Sequence, residues 1–365
     1  MAESIRSRGV RLVEMGHEVE VVSLDDPDAP FIANYALKLH PLGKGRTAWQ
    51  YQPDLVTWIR ANSKRFDAVV VDGIWQYHAF ATRQALAGSG IPYYVFPHGM
   101  LDPWFKHTYP LKHLKKWLFW PWAEYRVLRD ARAVLFTCEE ERRLAKESFW
   151  LYQVNERLAP LGTTEPPDNS AELTKGFLSA FPLLRQKPFL LFLGRIHPKK
   201  GCDLLLNAFA ANTPDHPDQH LVMAGPSDEV YLAELKNQAR SLGIEQRVHW
   251  IGMVKGDTKW GALYACDAFV LPSHQENFGI AVVEAMACAK PILISNKVNI
   301  WREALQDGSG LVEPDTLTGT SALLKRWFQQ PAKDRLVLAK QARQTYEQRY
   351  TVDASADALL HAVSH

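Results

Sequence analysis

The chain has 365 residues, 47% hydrophobic and 22% charged, with a formal net charge of +2, which accommodates two soluble domains of ordinary size and gives no global drive toward nucleic acid. The four cysteines, Cys138, Cys202, Cys266 and Cys288, lie far apart with no CxxC spacing, which speaks against structural zinc and a disulfide framework and fits a reducing cytoplasm. No apolar run reaches the roughly 18–20 residues of a membrane span, and "MAESIRSRGVRLVEMGHEV" lacks the apolar core of a signal peptide.

Taken in chain order, a helical pattern over residues 2–16 leads into a strand at 17–24, "HEVEVVSL". An α/β domain usually begins with a strand that feeds its first helix, so a central first strand and its loop are expected to be missing from the N-terminal domain. A truncated start would explain that pattern and so would a chain that is simply organised differently; an in-frame strand and glycine-rich loop in the codons upstream of Met1 would settle which. Further strands are expected at 67–73, 92–99 and 132–138, then at 189–195, 220–225, 247–253, 268–273 and 291–295. These runs are apolar throughout rather than alternating, as in parallel sheets covered on both faces. Helical patterns, for example 203–212, 229–242 and 279–289, separate them. The order argues for two doubly wound, Rossmann-like domains facing across a cleft. A seam rich in Pro, Thr, Asp and Ser at 161–176 divides them, giving domains at 1–170 and 171–350 and a last helical stretch at 351–365.

Several stretches carry chemistry. In "FPHGMLDPW", His98 follows a buried strand beside Gly99. A structural histidine and one pointing into the cleft both fit. "WFKHTYPLKHLKKWLFWPWAEYRVLR", 104–129, mixes Lys106, Lys112, Lys115 and Lys116 with Trp117, Trp120 and Trp122. A basic-aromatic amphipathic helix suits an anionic membrane interface or a lipid-diphosphate acceptor; a buried aromatic face with a solvated basic face gives the same pattern. In "FLGRIHPKKG", Gly194, Arg195, Lys199 and Lys200 lie between a strand and a helix. Cations there suit a diphosphate at the carboxyl edge of the sheet, and a solvated basic loop is the plain alternative.

"PSHQENFGIAVVEAM" sets Glu276 and Glu284 eight positions apart. A close acid–base pair does not follow: Glu276 sits in a loop and Glu284 inside the helix after it, while a retaining glycosidase pair needs about 5–5.5 Å. The start of that helix, with the amides of Phe278, Gly279 and Ile280, suits a phosphate. The two carboxylates would accept from hydroxyls on either side of it. For Glu284 an ordinary helix carboxylate is the alternative, although its apolar neighbours call for a partner.

"RIHPKKG" followed by "HQENFGIAVVEAMACAKPIL" resembles the retaining family 4 glycosyltransferases of the GT-B fold, and "PHGMLDPW" resembles their bacterial exopolysaccharide and O-antigen members. The resemblance implies no cofactor and no metal, but a nucleotide-sugar donor such as a UDP- or GDP-sugar and a glycan or lipid-linked glycan acceptor. It implies that Arg195 and Lys200 contact the pyrophosphate. Glu276, with the backbone at Asn277, Phe278 and Gly279, would hold the sugar, Glu284 the ribose, and His98 the donor sugar. The last helix would cross back to the N-terminal domain, and the setting would be cytoplasmic polysaccharide synthesis, peripheral at the inner face of the plasma membrane. A non-catalytic sugar-nucleotide-binding protein and a GT-B epimerase are the rival readings; the Glu-x7-Glu layout speaks against the epimerase.

Overall fold

The structure, a computed structural model, describes residues 2–364. The chain divides into two compact units. The first comprises Met1–Gly162 with Val352–His365 and the second Thr163–Thr351, so the division falls ahead of the expected position at 170.

The first unit opens with the helix Ala2–Glu14. Strands β1 (Glu20–Ser23) and β2 (Lys38–Pro41) then form a two-stranded parallel sheet of their own. A second parallel sheet has the order β3 (Val69–Asp72), β4 (Tyr93–Phe96), β5 (Ala133–Phe136) and β6 (Glu156–Leu158). In β4, Tyr93 and Val95 enter one core layer while Tyr94 and Phe96 enter the other. Val134 and Phe136 of β5 follow the first pattern, Ala133 and Leu135 the second. This period-two division explains why these strands read as continuous apolar runs. The second layer is closed by the helix Val352–Ser364, which buries Ser355, Ala356, Leu359 and Ala362. The Tyr94 hydroxyl donates to the Val363 carbonyl at 2.8 Å, and Arg11 pairs with Asp353.

The second unit holds one six-stranded parallel sheet. Its strands are β7 (Phe189–Leu193), β8 (His220–Ala224), β9 (Val248–Gly252), β10 (Ala268–Leu271), β11 (Ile292–Ser295) and β12 (Gly310–Glu313). Their order is β12-β11-β10-β7-β8-β9. Every residue of β7, β8, β10 and β11 is buried. Chain progression runs outward in both directions from the β10–β7 pair, which makes that pair the switch point of the sheet. Loops leaving the carboxyl ends of such neighbours diverge and open a crevice.

All nine strands expected from the apolar runs are present. Three strands were not expected, namely β2, β6 and β12, and each lies at the edge of its sheet. An edge strand is covered on fewer sides and needs no apolar run. The single amphipathic helix expected over 104–129 is corrected to three: Trp104–Thr108, Pro110–Phe119 and Glu124–Asp130. Proline lacks an N–H and clashes with the preceding turn, so Pro110 and Pro121 divide the run.

Candidate functional site

The two motif loops of the second unit leave β7 and β10, the strands on either side of the switch point. The first runs from Gly194 to Gly201. Gly194 donates to the Ala224 carbonyl at 3.0 Å and Ile196 to Pro226 at 2.9 Å, which holds the loop along the end of β8. A Cβ at Gly194 would meet nothing within 4 Å, so open space adjoins this backbone. Pro198–Lys200 form a single 3-10 turn capped by His197, whose Nδ1 accepts from the Lys199 amide at 3.1 Å. Gly201 then adopts φ +65° and starts the helix Cys202–Asn212. Any side chain there would put its Cβ 2.2 Å from the Pro272 carbonyl oxygen. The turn is therefore glycine for two reasons, its left-handed backbone and its approach to the second loop.

That second loop, 272–279, is bonded to the first. The Lys199 carbonyl accepts from the His274 amide at 2.8 Å and the Ser273 hydroxyl at 3.1 Å. His274 Nδ1 lies 2.9 Å from Asp315 Oδ2, and the Asp315 hydrogen bond raises the histidine's proton affinity. Glu276 donates its amide to Lys297 and accepts from Asn299, each at 2.9 Å. Phe278 is buried edge-on against Tyr350, with centroids 5.4 Å apart, so only its backbone faces the loop. Gly279, at φ +75°, precedes the helix Ile280–Ala287, whose N-terminus has no side-chain cap. First-turn amides without a cap form a partial positive charge suited to an anion.

The two glutamates have separate cations. Lys200 Nζ forms an ion pair with the Glu276 carboxylate, the two side chains being 16% and 24% exposed. Lys259 Nζ lies 2.7 Å from Glu284 Oε1, at 23% and 12% exposure. Lys259 belongs to the helix Gly256–Ala265 and lies over the Trp260 ring. Sequence reasoning did not select it, because a lone lysine in a polar helical turn looks solvated. The signal was the need of a half-buried Glu284 for a counter-charge. Arg195, in contrast, is exposed and pairs with no carboxylate among the described residues. Its charge adds to burial in lowering the proton affinity of His197.

His98 belongs to the first unit. Its ring is nearly enclosed, with 6% of the side chain exposed. Its backbone is left-handed, φ +49°, and the ring lies stacked on Phe96. Nε2 sits 2.8 Å from Asp72 Oδ1. Asp72, at the end of β3, also faces Arg8 at 3.9 Å. Burial works against ionisation of Asp72, but the His98 hydrogen bond and the Arg8 charge outweigh it and hold the carboxyl below its ordinary range. A left-handed non-glycine residue persists only where its surroundings fix it, and here the Asp72 bond and the Phe96 stack do so. Gly99 donates to Glu141 at 2.5 Å, and Glu141 also accepts from the Thr137 amide and hydroxyl. Asp72 and Glu141 supply this support; each looked in the sequence like an ordinary strand-end or helix carboxylate.

Residues 1–162 match the family described as "Glycosyl transferase 4-like domain", and residues 179–345 the family "Glycosyl transferases group 1". Among curated relatives, the D-inositol 3-phosphate glycosyltransferase of Kineococcus radiotolerans is 32% identical over 47% of this chain and 42% of its own. The alpha-D-kanosaminyltransferase of Streptomyces kanamyceticus is 27% identical over 65% and 61%. In both alignments the chain spans less than two thirds of the relative. Among solved structures, Anabaena HepE in complex with UDP and glucose superposes with a TM-score of 0.76, at 16% identity, over 99% of this chain and 95% of that one. At that identity the likeness establishes the fold, which is the two-domain GT-B fold.

Proposed function

We propose, for a chain that belongs to the group 1, 4-like glycosyl transferases with the GT-B fold, that it transfers a sugar from a nucleotide-sugar donor to a glycan or lipid-linked glycan acceptor. The proposed reaction proceeds with retention, is metal-independent, and takes place in cytoplasmic polysaccharide synthesis. The donor is a UDP- or GDP-sugar, and the similarity to HepE, crystallised with UDP and glucose, supports a nucleotide sugar of this kind. The observation that carries the reading is the placement of two loops, bonded to each other, at the switch point of the second sheet. They bring Lys200 against Glu276 just ahead of an uncapped helix N-terminus.

In this assignment the diphosphate takes the ammonium of Lys200, the guanidinium of Arg195 and the amides of Gly279 and Ile280. Charge accumulating on the leaving diphosphate is then met by groups already in place. As Lys200 turns to the phosphate, Glu276 is free to accept from sugar hydroxyls, with the backbone of Asn277 and Phe278 beside it. Glu284, held by Lys259, accepts from the ribose. His98 is assigned to the donor sugar, as the family resemblance implies, with Asp72 fixing its ring. No side chain stands out as a covalent nucleophile, so a front-face displacement is the assigned mechanism.

The test uses the full chain with radiolabelled UDP- and GDP-sugars, following transfer to lipid-linked glycan and hydrolysis to free sugar. Glu276→Ala should abolish both while nucleoside diphosphate still binds. Unchanged turnover in that variant overturns the role of Glu276. Donor binding with neither transfer nor hydrolysis would favour a non-catalytic sugar-nucleotide-binding protein instead.

A further inference from the structure

His274 ties together three loops at the carboxyl edge of the second sheet. Strand order places β11 between β10 and β12. His274, in the loop after β10, reaches past β11 to Asp315, which follows β12. Its Nδ1 lies 2.9 Å from Asp315 Oδ2, across 41 positions of sequence. Its amide donates at 2.8 Å to the Lys199 carbonyl, in the loop after β7. Lys200 comes directly after that carbonyl, and Glu276 lies two residues beyond His274. The anchor itself is held. Asp315 stands just ahead of the helix Leu317–Gln329, which Thr316 caps by accepting from the Gly319 amide at 3.0 Å. Gly319 presses on the same turn: a Cβ there would lie 2.2 Å from the Pro314 carbonyl oxygen. A ring bonded to a carboxylate so fixed holds residue 274 in turn.

Charge matters here as much as place. The His274 and Asp315 side chains are 32% and 23% exposed, where screening is weaker than on open surface. The charged groups acting on the imidazole are acidic: Asp315 in contact, and Asp203 in the first turn of the helix Cys202–Asn212. The Asp315 bond outweighs burial and strengthens the hold of His274 on its proton. Asp315 in turn feels Lys297, from the loop after β11. Burial works against ionisation of Asp315, but the His274 bond and the Lys297 charge outweigh it and keep the carboxyl below its ordinary range. With the histidine protonated, the His274–Asp315 pair is neutral. Once the proton leaves, the pair carries a net negative charge beside a site that is to take a diphosphate.

We propose that His274 is a positioning residue of the donor site: bonded to Asp315, it holds the loop carrying Glu276 against the turn carrying Lys200, and loss of its proton weakens nucleotide binding as pH rises. This rests on the donor-site reading of those loops. The test is calorimetric titration of the full chain with UDP and with GDP between about pH 6 and pH 9, a range that spans the ordinary and raised titration of a histidine. At about pH 6, His274→Gln should bind about tenfold more weakly than the wild type, the loss expected of one charge-assisted hydrogen bond. At about pH 9, where both side chains are neutral donors, the two should agree within about twofold. Comparison at a single pH cancels titration of the nucleotide's own phosphate. In an Asp315→Asn background the same comparison should converge at lower pH, because the carboxylate that holds the proton is gone. Wild-type binding with a His274→Gln ratio that is the same at every pH makes His274 merely structural and overturns this proposal alone, as does unchanged affinity in that variant. A wild-type chain that binds neither UDP nor GDP overturns the donor-site reading and this proposal together.

Discussion

Gly201→Ala tests whether the two loops at the switch point act as one device. The added Cβ would stand 2.2 Å from the Pro272 carbonyl oxygen, where ordinary contact begins near 3.4 Å. One loop must therefore retreat by about an ångström, a displacement of the kind overpacked cores show. Pro272 directly precedes Ser273 and His274, which both bond to the Lys199 carbonyl, so that retreat stretches the bonds joining the loops. Gly243→Ala is the matched control, since it has nearly the same backbone, φ +69° against +65°, and nothing within 4 Å. The control reports the left-handed cost alone, about 1–2 kcal/mol. Gly201→Ala should add about 1–3 kcal/mol of overpacking. At about 2–4 °C per kcal/mol for a body of this size, calorimetry should find Gly201→Ala melting several degrees below Gly243→Ala. Titration with UDP or GDP should show weakened binding in the first variant alone. If the two variants melt together and bind equally, the loops are not coupled through Gly201.

Two further substitutions address buried charge. Lys259→Met removes the ammonium 2.7 Å from Glu284 and leaves that half-buried carboxylate without its cation. Donor affinity should fall about 10–100-fold, from about 1.5–3 kcal/mol for a hydrogen bond to a charged group, with saturated turnover little changed; titration showing less than a twofold loss would remove Glu284 from the donor site. Glu124, 3% exposed with an unpartnered Oε2, has its carboxyl pushed up to about 7 by burial, against the pull of the Trp75 amide and Lys116. Between its unfolded value near 4.5 and about 7, the unfolded state binds fewer protons, so stability falls as pH rises. Glu124→Gln should therefore stabilise the protein by about 2–3 kcal/mol at pH 8 and little at pH 4, read by urea unfolding at the two pH values.

Much of this architecture could be read from residue order because burial on both faces leaves a plain mark. Runs such as "FLLFL" and "AFVL" have no polar position to spare. The strands β2, β6 and β12 escaped notice because edges tolerate residues like His40, Arg157 and Glu313. The donor candidates were visible because Glu276 and Glu284 flank a glycine and an apolar run, and because two lysines follow a strand end. Their counter-charges were only partly visible. Lys200 had been assigned to phosphate alone, and its bond to Glu276 emerges only when β7 and β10 lie side by side. Lys259 and Asp72 are brought to Glu284 and His98 by topology, which a linear pattern does not encode.

The helix Val352–Ser364 has a consequence for how the molecule is made. Its residues complete a core layer begun by Leu12 and Tyr94, and one bond in that layer spans 269 positions of sequence. Contacts this distant carry a large loop-closure cost and form late. During synthesis the second unit has its whole chain available before the first unit does. Nascent chains halted before Val352 would expose Tyr94, Phe96 and Leu135 on an open face. The order in which the units reach their native state would then be the reverse of their order in the gene.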